Sequence, residues 1–222
     1  MTSVSSLLRS AVTVAAVLLL AALVVTSSST KAVGQSRQAP KIVVYGDSLA
    51  TGLFLPRASG LVPRLQEALN RRGVKARLIN RSRNGRTTTA GARSIRSVLR
   101  ANPDGVIVIL GGNDILKRVP LSRTRQNLDR MLSVLRQNNI PVLLTSITPA
   151  RGTPTYRRDF PRVFASAARR NGALYMPNFY RPLAGRSDRK LIDNIHPNSR
   201  GVDALVANML PKTIQLVRRA AR

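Results

Sequence analysis

From Lys41 onward the chain alternates short, continuously apolar runs with longer segments in which apolar residues recur every three or four positions. A continuous apolar run suits a strand covered on both faces, whereas the three-or-four spacing puts one apolar stripe on a helix. The two patterns predict strands over Lys41–Tyr45, Ala76–Asn80, Val106–Leu110, Pro141–Ile147 and Ala173–Met176. Between and after them they predict helices over Leu61–Arg72, Thr88–Arg100, Ser122–Gln137, Tyr156–Asn171 and Ser199–Arg218. In the first of these helices Leu61, Leu65, Ala68 and Leu69 fall on one face. Buried strands separated by helices imply a parallel sheet, because each crossover between parallel neighbours must be long and right-handed. The expected fold class is α/β, one domain with helices on both faces of the sheet.

The pattern ahead of Lys41 is different. Met1–Ser10 carries Arg9 and no acid, and Ala11–Val25 is a continuous apolar run. A basic start followed by about 15 apolar residues fits a secretory signal better than a bilayer span, which takes about 20. Residues 1–32 are read as that signal peptide, 33–40 as a polar linker and 41–222 as the folded domain. Cleavage after Ala32 or after Ser27 is compatible with the small residues there, though neither site is Ala-x-Ala, and an uncleaved anchor is the alternative. The expected destination is the periplasm or the extracellular space.

Composition then narrows the chemistry. Lys and Arg number 37 against nine Asp and Glu, a formal charge of +28 that would attract nucleic acid, anionic lipid or acidic polysaccharide. The cations are spread along the chain and aromatics make up only 4%, so no base-stacking surface or specific nucleic-acid partner is expected. Weak association with anionic envelope surfaces remains compatible with the charge. The lack of cysteine removes disulfides, thiolate nucleophiles and cysteine zinc sites. With one histidine and one glutamate a zinc site is hard to assemble, and no metal is expected.

Three polar, glycine-bearing turns follow the first three predicted strands: Gly46-Asp47-Ser48-Leu49, Asn84-Gly85 and Gly111-Gly112-Asn113-Asp114. Functional residues of parallel α/β sheets collect at these carboxyl ends. Taken singly each is ordinary turn chemistry, Gly111-Gly112 ending a strand and Asn113 capping a helix; three in register point to a site. A serine hydroxyl there needs a base to become a nucleophile, and the only histidine is His196, in Asp193-Asn194-Ile195-His196-Pro197-Asn198. In a loop, the carboxylate of Asp193 can bond the imidazole Nδ1–H and leave Nε2 to face Ser48. Donors for a developing oxyanion would be the Ser48 N–H, the Gly85 turn and the Asn113 amide. Asp47 is assigned to bonding turn amides, and Asp114 to capping or buttressing the loops.

GDSL at Gly46–Leu49, a glycine in a second block at Gly85, GGND at Gly111–Asp114 and DxxHPN at Asp193–Asn198, in that order, resemble the four blocks of the GDSL/SGNH hydrolase superfamily. The spacing most resembles its periplasmic multifunctional acyl-thioesterase/lysophospholipase/arylesterase branch, over nearly all of Lys41–Pro211. The resemblance implies a flavodoxin-like three-layer α/β/α sandwich that needs no cofactor. It implies hydrolysis of small-molecule or lipid esters or thioesters through an acyl-serine, with Ser48 as nucleophile, His196 as base and Asp193 as orienting acid. Ser48, Gly85 and Asn113 would form the oxyanion hole. The sequence departs from that branch at Ile115–Pro120, which stands where a more glycine-rich loop is expected, leaving acyl length open. A carbohydrate O-acetylesterase and a non-catalytic basic envelope-binding protein are the competing readings. A glycosidase with paired carboxylates would leave His196 and GGND without a role.

Overall fold

Strand β1 (Lys41–Gly46) turns Ile42 and Val44 to one face of a sheet and Val43 and Tyr45 to the other, and all four are buried. Burial on both faces is the reason the run is apolar without alternation. In the computed structural model, which describes residues 38–222, β1 is joined by β2 (Arg77–Asn80), β3 (Gly105–Ile109), β4 (Val142–Thr145) and β5 (Leu174–Met176). The order is β2-β1-β3-β4-β5 and every neighbouring pair is parallel. The expected signal peptide, and the linker up to residue 37, lie outside the described residues. Among the described residues no helix is long and apolar enough to cross a membrane.

The helices divide between the two faces, giving the three-layer α/β/α arrangement. α2 (Leu61–Arg71) and α8 (Ser199–Ala220) cover the face of Ile42, Val44, Ile107, Ile109 and Leu143. α3 (Thr88–Ser94), α4 (Arg96–Leu99), α6 (Leu121–Gln137) and α7 (Pro154–Arg170) cover the face of Val43, Tyr45, Val106, Val108 and Leu144. Two one-turn helices, α1 (Ser48–Thr51) and α5 (Gly112–Leu116), follow β1 and β3 directly; they are too short to show a hydrophobic period.

Two expectations are corrected. The helix expected over Thr88–Arg100 is broken at Ile95 between α3 and α4. There the Ser94 hydroxyl bonds the Ala90 carbonyl at 2.9 Å and pairs with the Tyr45 hydroxyl at 2.7 Å, while Ser97 Oγ donates to the Ser94 carbonyl at 2.6 Å. Serine side chains that take up backbone acceptors compete with the helical ladder. Strand β2 is not buried on both faces: it forms the sheet edge, where Leu78 and Ile79 are half-buried and Arg77 and Asn80 exposed.

The connections place the site. From β1 the chain runs through α2 to β2, on one side of β1; it returns through α3 and α4 on the opposite face to β3, on the other side. β1 and β3 therefore flank the topological switch point, the position at which an open parallel sheet leaves a crevice beyond its carboxyl ends.

Candidate active site

Ser48 stands at that switch point because β1 ends in a tight turn into α1. Asp47 caps α1, its Oδ1 accepting the Leu49 N–H at 3.1 Å, and its own N–H donates to the Ile109 carbonyl at 3.2 Å, tying the turn to β3. The serine is thus fixed by a bond to its own helix and another to the neighbouring strand.

His196 comes from a loop that curls around a carboxylate. Lys190 and Pro197 form an antiparallel bridge, and the Leu191 N–H donates to the His196 carbonyl at 2.8 Å, closing the loop at its neck. Inside it, Asp193 Oδ1 accepts the N–H groups of Ile195 and His196 at 3.0 and 2.9 Å, while Oδ2 bonds His196 Nδ1. Asn194 takes the left-handed conformation, with φ of 58°, that lets so short a loop turn back. Although desolvation pushes the Asp193 carboxyl upward, the bonds from the His196 ring and the two backbone N–H groups outweigh it and hold its pKa at about 2. An ionised carboxylate can only accept, so Nδ1 carries the proton, and in the neutral ring Nε2 is the acceptor. Nε2 lies 2.9 Å from Ser48 Oγ.

The loop is held to the body of the protein from two sides. The Asn198 side chain donates to the Asp188 and Lys190 carbonyls at 2.9 and 3.3 Å, and its oxygen accepts the Gly201 N–H at 3.0 Å, so one residue closes the loop's stem and caps α8. The Tyr180 hydroxyl donates to the Ile195 carbonyl. Burial first, and then the charge of Asp193, push the Tyr180 pKa up to about 12, so it stays a donor at any physiological pH.

The second and third blocks meet across the same crevice. Asn113 lies inside α5 instead of capping it; the cap is Gly111, at φ of 116°, a conformation closed to other residues. The Asn113 amide donates to Asp47 Oδ2 at 3.3 Å, which aims it over the turn that holds Ser48. Asp47 is buried, and desolvation raises its pKa to about 6 despite the bonds from Leu49 and Asn113. Gly85, with φ of 70°, forms an exposed turn. Next to it the buried Arg86 donates Nη1–H to the carbonyls of Gly46 and Arg81 at 3.2 and 2.9 Å, and its guanidinium stacks 4.1 Å from the centre of the Tyr45 ring. Asp114, also buried, accepts the N–H of Thr88 at 2.8 Å, the Thr88 hydroxyl and the Thr124 hydroxyl at 3.3 Å. It buttresses the loops, binding the third block to the start of α3 and to α6.

Asp193, His196 and Ser48 are thus joined in one chain of contacts, Asn113 is bonded to the Ser48 turn through Asp47, and Gly85 lies between Arg83 and Arg86, which both bond the Gly46 carbonyl at the end of β1. The orienting bond from the Asn113 amide to Asp47, the Arg86 anchor and the Tyr180 latch went unseen in the sequence. Nothing in residue periodicity separates Arg86 from the rest of 37 cations, and Tyr180 meets the loop only through the fold. Among the described residues no three His, Asp or Glu side chains gather as a metal site would need. The arrangement provides a hydroxyl next to an imidazole acceptor, that imidazole bonded to a carboxylate, and an amide donor alongside. Such a set suits acyl transfer.

The model of the GDSL-like Lipase/Acylhydrolase family matches residues 44–204, most of the chain. Esterase TesA of Pseudomonas aeruginosa is 31% identical over 179 residues, covering 80% of this chain and 89% of that one. The Escherichia coli (strain K12) thioesterase 1/protease 1/lysophospholipase L1 is 28% identical over 179 residues, covering 80% of this chain and 84% of the relative. In the crystal structure of AlinE4, described as an SGNH-hydrolase family esterase, a chain 34% identical superposes with a TM-score of 0.68 over 80% of this chain and 96% of its own. The chain thus belongs to the GDSL-like lipase/acylhydrolase family, the SGNH serine hydrolases that act on ester bonds.

Proposed function

We propose that Ser48 is the nucleophile, His196 the general base and Asp193 the acid that orients it, with the Ser48 N–H, the Gly85 N–H and the Asn113 side chain as oxyanion donors. The reading is carried by the 2.9 Å contact of His196 Nε2 with Ser48 Oγ while Nδ1 is held by Asp193. Nε2 takes the hydroxyl proton as Oγ attacks the acyl carbon. The tetrahedral oxyanion is held by the donors, and the imidazolium returns the proton to the leaving alcohol or thiol. Water, activated by the same imidazole, then releases the acid from Ser48.

The substrates proposed are carboxylic esters or thioesters, of the lysophospholipid, aryl-ester and acyl-thioester kinds. The relatives' names support this range. Export by the basic and apolar N-terminal stretch, and weak association with anionic envelope surfaces, belong to the same proposal. Purified protein should hydrolyse p-nitrophenyl esters and react covalently with a fluorophosphonate. Ser48→Ala should abolish the labelling and lower turnover by orders of magnitude with circular dichroism unchanged. Undiminished labelling of that variant would place the nucleophile elsewhere.

A further inference from the structure

A soluble protein normally scatters its exposed apolar side chains singly over the surface. Here they are concentrated. Among the described residues the exposed large apolar side chains are Phe54 at 70%, Leu116 at 62%, Ile195 at 42% and Ile192, fully exposed. Each sits in one of the three segments that carry the site. Phe54 is in the turn after Ser48, and its ring meets the His196 ring edge-on at 5.5 Å between centroids. Leu116 ends α5, three residues after Asn113. Ile192 and Ile195 lie in the Asp193–His196 loop. Phe54 also has φ of 66°, a left-handed backbone that is unfavourable for an aromatic residue and does nothing to bury its ring. The fold thus bears both conformational strain and hydration of a large ring at the mouth of the site.

The exposed charge near these side chains is mainly positive, with the ionised Asp193 beside His196 as the exception. Arg57, Arg83, Lys117 and Arg118 are exposed in the same loops or in the turn before Gly85, and Lys117 Nζ reaches the Gly85 carbonyl at 3.4 Å. The acids of these segments are the buried Asp47 and Asp114 and the His196-bound Asp193. Glu67, Asp129, Asp159, Asp188 and Asp203 are each engaged by arginine in ion pairs. An apolar rim within a cationic field matches a surface that offers anionic headgroups over hydrocarbon.

We infer that the rim formed by Phe54, Leu116, Ile192 and Ile195, with the cations around it, docks the mouth of the active site onto an anionic lipid surface. The long-range charge attracts the protein without orienting it, since its cations lie all along the chain. The apolar rim selects the face, because among the described residues only there does contact remove large exposed apolar side chains from water. The inference rests on the ester-hydrolase reading for its biological sense, but the docking itself needs no turnover.

The test uses residues 39–222 carrying Ser48→Ala, so that neither hydrolysis nor the apolar N-terminal run contributes. That portion contains both core clusters, and the AlinE4 chain folds with 96% of its length superposed on 80% of this chain. Sedimentation with phosphatidylglycerol-containing vesicles should retain the protein, while pure phosphatidylcholine vesicles should retain at least tenfold less. Leu116→Ser with Ile192→Ser should weaken binding to the anionic vesicles by roughly tenfold or more, and Arg118→Gln by about fivefold. With Ser48 restored, the unsubstituted protein is assayed on p-nitrophenyl acetate in parallel. The ester assay separates the two readings: an active enzyme that ignores vesicles sinks the docking alone, and vesicle binding by a protein that cleaves no ester sinks the hydrolase reading alone. Anionic vesicles that bind the double variant as well as the parent would overturn docking through the rim, leaving bare charge as the cause. Equal binding to both vesicle types would overturn the requirement for anionic lipid.

Discussion

Asp47 binds two functions into one buried carboxylate: it caps the turn that bears Ser48 and it holds the Asn113 amide. Burial raises its pKa from 3.8 to about 6. A carboxyl whose folded pKa is raised gives stability that is complete below the unfolded value and lost as pH rises through the folded one. Wild-type stability should therefore fall between about pH 4 and pH 6, by about 3 kcal/mol at roughly 1.4 kcal/mol per pKa unit. Asp47→Asn does not titrate, so urea unfolding at pH 4, 5 and 7 should show the wild type losing ground to the variant by that amount. A difference that stays constant with pH would contradict the burial assignment. The same variant turns an amide donor toward the Asn113 donor, so its kcat should drop although its stability at neutral pH does not. The limiting case is Asn113→Ala, for which kcat should fall about 10²- to 10³-fold with KM little changed, the usual effect of losing one oxyanion donor. A rise in KM alone would instead make Asn113 a ground-state contact. For the proposed Asp193 role, Asp193→Asn should reduce kcat by up to about 10⁴-fold, because the tautomer that leaves Nε2 as acceptor is no longer enforced. Steady-state kinetics on one p-nitrophenyl ester checks both.

At the scale of elements, the proposed catalytic groups are set by how short segments end. Elements with a long period were legible in the sequence: α2, α6, α7 and α8 lie within two residues of their expected bounds, since a stripe such as Leu61, Leu65, Ala68 and Leu69 has one way to be buried. α1 and α5 were illegible as helices because one turn has no period; they declared themselves only as polar residues after strands. The break at Ile95 comes with serine hydroxyls bonding backbone carbonyls, a competition that the spacing of apolar residues does not register. Among candidate site residues, the sequence singled out Ser48, Asp193 and His196, whose contact with one another the structure shows, because serine, a carboxylate and the sole histidine have few other uses in that pattern. The support of the histidine loop by α8 was not legible in it. A Cβ at Gly201 would stand 2.0 Å from the Arg189 carbonyl oxygen, and backbone cannot swing aside as a side chain can. Gly201→Ala should force α8 and the loop's stem apart. It should destabilise the protein by about 1–3 kcal/mol and lower kcat as His196 shifts from Ser48. Thermal unfolding and kinetics together check this; a variant with an unchanged melting temperature and full activity would show that the stem and α8 are free to part.

For the whole molecule the dominant physical fact is charge. The fold encloses two core clusters on either side of one sheet and relies on no disulfide, so its stability rests on packing against an electrostatic load of +28. Salt acts on that load in two opposite ways. It weakens the ion pairs, such as Arg64 with Asp203 and Arg170 with Asp129, and it screens the repulsion among the remaining cations. The pairs are largely exposed, and exposed pairs are worth about 0–1 kcal/mol each. Within residues 39–222 the repulsion involves 34 cations against nine acids, at spacings that a Debye length of about 30 Å in 0.01 M salt leaves coupled and one of about 10 Å in 0.1 M salt largely uncouples. Relief of repulsion should therefore win, and the melting temperature of residues 39–222 should rise by several degrees between 0.01 and 0.3 M sodium chloride and then level off. Differential scanning calorimetry at constant pH measures this directly, with sucrose as a control for general solvent effects. A melting temperature that falls across the same range would mean that the exposed ion pairs outweigh the net charge, and the packed sheet would not be the part of the molecule that bears the load.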